Sequence, residues 1–260
     1  MPVFMCADQI QENSQKQDDT QFRERIVRAS DQDLGSYELI KDEKELIWYP
    51  AEVNTSIRPG WFYHEEEDDQ VKSLETLISI YEHSVGGNAT FLLNIPPTKE
   101  GLFHENDVKR LHEIGEYQKK CYGKNLLEKA SLFCEEQKKG FEIENLRNDD
   151  YDSYFTTSDG QRNCRIYIKF DKEYDIHRVV LKENIKKSQR IEAFRILTVH
   201  DGSEKCVFEG TVVGYKKIVL LDKIKTKELV KELVKELVIE IIDSRVAPTL
   251  FYIGVFDLNC

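Results

Sequence analysis

The chain has 260 residues, enough for one large domain or two of ordinary size. Hydrophobic residues make up 40% and charged residues 33% of it, which is typical of a globular protein with enough apolar material for a core. Its formal net charge of -11 disfavours binding to nucleic-acid phosphates, and no apolar run approaches the roughly 18–20 residues of a membrane span.

The first half of the chain predicts alternating strands and helices. Residues 1–40 lack hydrophobic periodicity and predict a long surface loop with one short helix. The run ELIWYPAEV (45–53) is typical of a buried strand, which places Glu52 near its carboxyl end. Apolar residues then recur at helical spacing from Val71 to Val85, and Gly86 and Gly87 end that helix.

A second strand and a second helix follow. The apolar run ATFLLNIPP predicts a buried strand that two prolines end, and HENDVKRLHEIGEYQKKCYG predicts a helix that begins near His104 or Asn106. Continuous apolar strands that alternate with helices indicate parallel β/α units. Two such units cannot close a sheet, so we expect them to be the last part of a larger α/β fold.

The pattern changes near residues 123–127. Later segments alternate in polarity and are separated by turn signals such as Asp201-Gly202, which predicts an antiparallel all-β sandwich. Residues 227–238 repeat the tetrapeptide KELV three times. As a helix this repeat would present a Leu-Val stripe, and as a strand it would make a poor two-faced pattern. A helix that binds a partner is the less favoured interpretation of it.

Several residue patterns have an ordinary structural interpretation. The six cysteines are scattered, which favours structural thiols over a zinc site or a disulfide framework. The acidic run HEEEDD (64–69) suits the start of a helix better than a metal site, so we expect no metal and no cofactor. Asn54 and Asn88 begin glycosylation sequons but lie in or beside predicted strands, so we expect neither to be modified.

Glu52 is the first candidate for chemistry. Active groups of parallel β/α folds lie at the carboxyl ends of strands, and aromatic walls would raise the pKa of a carboxylic acid that protonates a leaving group. Trp61, Phe62 and Tyr63 follow a Pro-Gly turn and suit the apolar face of a sugar, while Arg58 could bind its hydroxyls. Local pattern alone favours the alternative, in which Glu52 pairs with Arg58 and the aromatic residues belong to the core.

Two longer motifs reverse that preference. P-A-E-x-x-x-S-I-R-P-G-W-F-Y-H (50–64) and L-L-N-I-P-P-x-x-x-G-L-x-H-E-x-D (92–107) resemble the C-terminal part of the catalytic barrel of alpha-L-fucosidases, glycoside hydrolase family 29. Their form is closer to the subfamily that prefers α1,3/1,4-linked fucose. The later strands, among them SRVAPTLFYIGVF, resemble the discoidin-like, galactose-binding-type jelly roll of these enzymes.

The resemblance implies a fold and a site. It implies a partial (β/α)8 barrel over residues 1–124 and a β-sandwich over residues 125–260. It implies retaining hydrolysis of terminal alpha-L-fucosyl linkages on glycans, with Glu52 as general acid/base. Trp61, Phe62 and Arg58 would bind the substrate, with Arg58 either in the pocket itself or behind the residues that line it.

The family's nucleophile does not match any motif in this chain. In the family it is an aspartate of a Trp-x-Asp-Gly-like segment on an earlier strand. We therefore expect a fragment that is inactive alone, with the missing half of the barrel encoded upstream. In the alternative, only the sandwich acts, as a carbohydrate-binding module whose nearest loop candidates are Tyr151, Tyr154 and Phe155; packing is the favoured role for these three residues.

Overall fold

A computed structural model describes residues 2–6, 36–42, 46–200, 202–221 and 234–257. Its first part consists of β1 (Pro2–Cys6), α1 (Tyr37–Ile40), β2 (Leu46–Pro50), β3 (Glu52–Ser56), α2 (Leu74–Ser84), β4 (Thr90–Asn94) and α3 (Glu105–Tyr122). Strands β3 and β4 pair in parallel, whereas β1 and β2 form a separate antiparallel pair. The order β3, α2, β4, α3 confirms the predicted β/α units.

Polar side chains cap the first turn of both helices. The hydroxyl of Ser73 caps α2 by accepting a hydrogen bond from the amide of Thr76, at 3.2 Å. The ring of His104 plays the same part for α3 by accepting from the amide of Asn106, and Gly123 follows the last turn. The buried residues Leu77 and Ile78 lie on the apolar side of α2.

The run at residues 45–53 is two strands and not one, so its prediction was wrong. Residues 46–50 pair antiparallel with β1, whereas residues 52–56 pair in parallel with β4. Ala51 lies between them, and its carbonyl accepts from the amide of Thr90 at 2.8 Å. Pro50 has no N–H to donate to a neighbouring strand. A change of pairing partner at that point therefore loses no hydrogen bond from residue 50.

The second part is a sandwich of two antiparallel sheets, as predicted. One sheet has the strand order β10-β9-β12-β7-β5 and the other the order β11-β8-β13-β6. The strands are β5 (Ser131–Phe133), β6 (Phe155–Thr156), β7 (Cys164–Tyr174), β8 (Ile176–Glu183), β9 (Ile191–His200), β10 (Ser203–Gly210), β11 (Lys217–Leu220), β12 (Val234–Ser244) and β13 (Thr249–Asp257).

Alternation along the strands builds the core between these sheets. In β7, the side chains of Cys164, Ile166, Ile168 and Phe170 are buried, while the residues between them face outwards. The core contains buried residues from both sheets and from the turn at Leu126 and Leu127. Since α3 ends at Tyr122, the predicted boundary at residues 124/125 falls in the link between the two parts; that division stays a prediction.

The outer face of the four-stranded sheet packs against α2 and α3. Val180, Ile218 and Phe256 form a small apolar cluster with Tyr81 and Tyr122. A buried ion pair lies beside this cluster, because Nε of Arg178 in β8 is 2.7 Å from a carboxylate oxygen of Glu82 in α2. The outer face of the five-stranded sheet therefore lies on the opposite side of the sandwich.

The loop candidates of the sandwich pack against neighbouring rings. Phe155 is fully buried in the core. The ring of Tyr154 lies 4.8 Å from that of Phe141, and the ring of Tyr151 stacks on Phe251 at 4.3 Å. These contacts agree with the favoured packing role.

Three other sequence features have partial outcomes. The first two copies of the KELV repeat lie mostly outside the described residues, and the last copy (235–238) belongs to β12. Cys121 is disulfide-bonded, so the thiol interpretation was wrong there; Cys134, Cys164 and Cys206 are free. No described helix is both long and apolar enough to span a bilayer.

Candidate active site

Exposed aromatic side chains form a cavity beyond the carboxyl ends of β3 and β4. Trp61 is 46% exposed and Phe62 is 75% exposed. The cavity has a volume of about 350 Å³ and is lined by Trp61, Phe62, Tyr63, Asn94, Pro96, Pro97, Thr98 and Lys99. This edge of a parallel sheet is where β/α folds place their ligands.

Asn94, the last residue of β4, fixes the segment that carries Trp61. Its side-chain amide donates to the carbonyl of Trp61 at 2.7 Å and to the hydroxyl of Ser56 at 3.2 Å. Its own carbonyl accepts from the amide of Ile57 at 2.9 Å. Asn94 thus joins the ends of β3 and β4 to the loop that carries Trp61, Phe62 and Tyr63, called here the aromatic loop.

The Pro-Gly turn brings the loop close to a carboxylate. The amide of Gly60 donates to Glu67 at 3.1 Å, and a Cβ at residue 60 would lie 3.0 Å from both carboxylate oxygens of Glu67. A side chain at this position would push the carboxylate away. Glycine therefore permits the close approach that closes the turn before Trp61.

Arg58 lies beneath the aromatic loop and does not line the cavity. Its side chain is fully buried, and its Nε donates to both carboxylate oxygens of Asp107, at 3.0 and 3.1 Å. Its Nη1 donates to Asp68 at 2.8 Å, and the guanidinium lies 4.9 Å from the ring centre of Tyr63. Because solvent does not reach the guanidinium in this conformation, it cannot form the predicted hydrogen bond to a sugar hydroxyl.

Asp68 extends the same network towards α3. One of its carboxylate oxygens accepts from the hydroxyl of Tyr63 at 3.3 Å and lies 3.3 Å from Nε2 of His104, while its carbonyl accepts from Asn106. Burial would raise the pKa of Asp68, but hydrogen bonding to Arg58 and the charge of His104 outweigh it and leave the pKa below its usual range. This carboxylate therefore stays ionised and pairs with Arg58.

Glu52 lies at the other end of the strand. It is the first residue of β3 and pairs with Thr90, whereas Ser56, the last residue, pairs with Asn94. Four residue steps along a strand cover about 13 Å, so the prediction that Glu52 stands at the carboxyl end was wrong. Its side chain is exposed, and among the described residues no hydrogen bond joins it to the aromatic cavity.

Comparison with known proteins shows which family the chain resembles. A model of the alpha-L-fucosidase family matches residues 3–124, the part that carries the cavity. Alpha-L-fucosidase 1 of Arabidopsis thaliana is 33% identical over 217 residues, which are 80% of this chain and 41% of that protein. These matches make the chain similar to alpha-L-fucosidases of glycoside hydrolase family 29, and the family match covers residues 3–124.

Solved structures of fucosidases extend the likeness across both parts of the chain. A crystal structure described as an alpha-L-fucosidase from Bacteroides thetaiotaomicron superposes with a TM-score of 0.75 at 27% identity, over 87% of this chain and 48% of that one. A Ruminococcus gnavus family 29 fucosidase in complex with fucose gives 0.72 at 29% identity, over 84% and 43%. The chain thus spans less than half the length of these relatives.

A second family model covers the junction of the two parts. It describes subunit 10 of the anaphase-promoting complex and matches residues 104–191, from the start of α3 to the first residue of β9. The match includes the first strands of the sandwich. It agrees with the predicted discoidin-like fold of this part of the chain.

The sequence interpretation missed the residues that hold the loop with Trp61 in place. Asn94 and Asp107 both lie in the L-L-N-I-P-P…H-E-x-D motif, which served to recognise the family but yielded no site residue. Asn94 ends a buried strand, and Asp107 lies in the first turn of a helix at the same edge of the sheet. A polar residue at the end of a buried strand and another in the first turn of the next helix were the sequence signal that could have identified both.

Other candidates lie away from the cavity or serve the fold. In the acidic run, residues 65–67 form a short 3₁₀ turn, and no group of three possible metal ligands was found among the described residues. Asn88 is buried, and its amide donates to the carbonyl of Val213 at 3.0 Å. Asn54 is exposed on β3. That neither sequon is modified stays a prediction.

Proposed function

We propose that this chain forms part of an alpha-L-fucosidase that removes terminal alpha-linked fucose from glycans with retention of configuration. The observation that supports this most is the cavity lined by exposed Trp61 and Phe62, which lies in the segment matched by the family model. Aromatic walls with a few polar groups suit the apolar face of a sugar. The hydrogen bond from the side chain of Asn94 to the carbonyl of Trp61 holds this wall in place before a substrate binds.

The proposed chemistry requires two carboxyl groups. A retaining glycosidase uses one as nucleophile and the other as acid/base, about 5–5.5 Å apart. We assign the acid/base role to Glu52 on the resemblance alone, because in this structure Glu52 begins β3 at the opposite end from the cavity. The nucleophile's Trp-x-Asp-Gly context does not occur in the 260 residues, so we propose that the chain alone does not hydrolyse fucosides.

Binding of L-fucose tests the cavity. We expect ligand-observed NMR to detect saturable binding of the monosaccharide to the purified chain, and Trp61→Ala to weaken it at least tenfold, because the indole supplies the wall against which the sugar packs. Tyr215→Ala is the matched control, since this exposed aromatic residue lies in the sandwich. No binding, or binding that Trp61→Ala leaves unchanged, would count against the proposal.

Turnover of 4-nitrophenyl alpha-L-fucoside tests the two carboxylates. We expect none from the chain alone, and turnover from a chimera that places this chain behind the N-terminal part of the Arabidopsis relative. In the chimera, Glu52→Gln should lower kcat/KM for fucosyl oligosaccharides about 10²–10⁴-fold and kcat/KM for the nitrophenyl substrate much less, because nitrophenolate leaves without a proton.

Two results would overturn parts of this scheme. Turnover by the unextended chain would show that its own residues include a nucleophile. A Glu52→Gln chimera that loses thermal stability but keeps the same ratio of rates for the two substrates would place Glu52 in the barrel structure and not in the reaction. Exogenous azide should rescue turnover of the nitrophenyl substrate only if the carboxylate acts on the sugar.

A further inference from the structure

A second cavity lies on the outer face of the five-stranded sheet. It has a volume of about 560 Å³, within the range of about 300–1,000 Å³ for small-molecule sites. Its lining residues come from β5, β7, β12 and the turn after β5. The helices of the barrel part pack on the opposite face of the sandwich, so they do not cover it.

Two aromatic side chains form its floor. Phe133 of β5 pairs directly with Tyr167 of β7, and their ring centres are 6.1 Å apart. Phe133 is 59% exposed although it lies in a strand next to a large apolar core. It faces outwards, because Leu132 and Ile168, the neighbouring pair, face the core.

The aromatic pair begins an apolar row that crosses the sheet. Tyr167 pairs with Val238 of β12, and Val238 pairs with Leu197 of β9. Val238 and Leu197 are buried but do not belong to the core between the sheets, so they lie on the outer face beneath their neighbours. Only the aromatic end of this apolar strip is accessible to a ligand, because Val238 and Leu197 are 0% and 3% exposed.

Charged side chains of both signs flank the strip. Arg165 lies over the ring of Tyr167 at 5.4 Å and pairs with Glu204 at 2.6 Å. Lys169 is exposed and pairs across the strands with Glu236, and Glu136 lines the same cavity. Three acidic and two basic residues line this site, so it has no strong net charge that would select an ionic ligand.

We propose that this outer face is a binding site for a neutral oligosaccharide, distinct from the cavity at Trp61. Phe133 and Tyr167 would pack against the C–H face of one sugar unit. Lys169, Glu236 and Glu136 would exchange hydrogen bonds with its hydroxyl groups. A site on this side would hold a glycan chain without blocking the contact between sandwich and barrel, and it does not depend on the fucosidase proposal.

Binding of fucose-free saccharides to the whole chain tests this site. The probes are lactose, N-acetyllactosamine, cellotriose and mannotriose, followed by ligand-observed NMR and calorimetry. We expect at least one of them to bind saturably, Phe133→Ala to weaken that binding at least tenfold, and Phe133→Trp to retain it. Phe133 is exposed on a short edge strand, so its replacement leaves the core intact.

Phe62→Ala is the matched control, because Phe62 is the exposed phenylalanine of the other cavity. Retained binding in Phe62→Ala together with loss in Phe133→Ala supports the proposal. The proposal fails if no probe binds, if Phe133→Ala binds as the unmodified chain does, or if 3′-sialyllactose binds at this face more tightly than lactose. It also fails if the unmodified chain dimerises through this face and Phe133→Ala is monomeric.

Discussion

At the scale of single residues, Arg58 shows how a buried charge can hold a functional loop. Its guanidinium is paired with Asp107 of α3 and with Asp68 of the acidic turn, and its side chain is fully buried. Burying a charge is costly unless the charge is paired and hydrogen-bonded. Arg58 therefore holds in place the segment that carries Trp61 and Phe62. We infer that Arg58 affects ligand binding only by positioning these two side chains.

Asp107→Asn should destabilise the chain strongly. The change keeps the shape of the side chain but leaves Arg58 with a single anionic partner, and breaking a buried ion pair in this way costs roughly 3 kcal/mol or more. Chemical denaturation measures this loss. The control is Lys138→Ala, which removes an exposed pair with Asp159 and should cost less than about 1 kcal/mol. Equal effects of the two changes would refute the positioning role.

At the scale of elements, the spacing of hydrophobic residues predicted which helices and strands the chain forms. It did not predict where the chain passes from one pairing partner to the next. The helix from Val71 to Val85 is observed as Leu74–Ser84, with the predicted apolar face. The run at 45–53 is equally apolar throughout, so its pattern could not show that pairing changes at Ala51. Glu52 was misplaced for that reason, since register depends on neighbours distant in the chain.

The candidate site was predictable to a similar degree. Trp61 and Phe62 were proposed because a run of aromatic residues after a turn is a strong local signal; both are exposed in one cavity, and their role in binding stays a prediction. The sequence left open whether Arg58 lines the pocket or lies behind it, because a lone arginine gives no sign of its two acidic partners, of which Asp107 is 49 residues away. Burial of a charge depends on such distant partners, and only the fold shows them.

Two glycines of the β/α part should respond oppositely to alanine. A Cβ on Gly86 would lie 2.2 Å from the carbonyl of Glu82 and 2.6 Å from Cβ of Ile218, where the loop after α2 meets the sandwich. Gly86→Ala should therefore lower the melting temperature. Gly115 lies within α3 with no atom near its Cβ position, so Gly115→Ala should stabilise the chain by about 0.5–1 kcal/mol.

Thermal denaturation of both variants distinguishes backbone entropy from crowding. If helix propensity alone determined the effect, both changes would raise the melting temperature. A rise for Gly86→Ala would therefore contradict the close contact at Gly86. A loss confined to Gly86→Ala supports the contact between the loop after α2 and β11. That contact is also held by a hydrogen bond from the amide of Ile218 to the carbonyl of Gly86, at 3.1 Å.

At the scale of the whole molecule, the sandwich and the β/α part share a polar contact as well as an apolar one. Arg178 of β8 is paired with Glu82 of α2 and lies over the rings of Tyr117 and Tyr122. The hydroxyl of Tyr122 donates to Glu82 at 2.8 Å. Because this network joins α2, α3 and β8, its loss should affect how the two parts unfold relative to each other.

Glu82→Gln should uncouple the two parts. The amide keeps the size of the side chain but leaves the buried guanidinium of Arg178 without its anion, which costs about 3–5 kcal/mol. Since the cost falls on the contact and not on either core, we expect calorimetry to show an earlier transition for the β/α part and a later one for the sandwich. Glu113→Gln, which breaks a pair within α3, should leave a single transition nearly unchanged. A single transition at the original temperature in Glu82→Gln would mean that the apolar cluster alone couples the two parts.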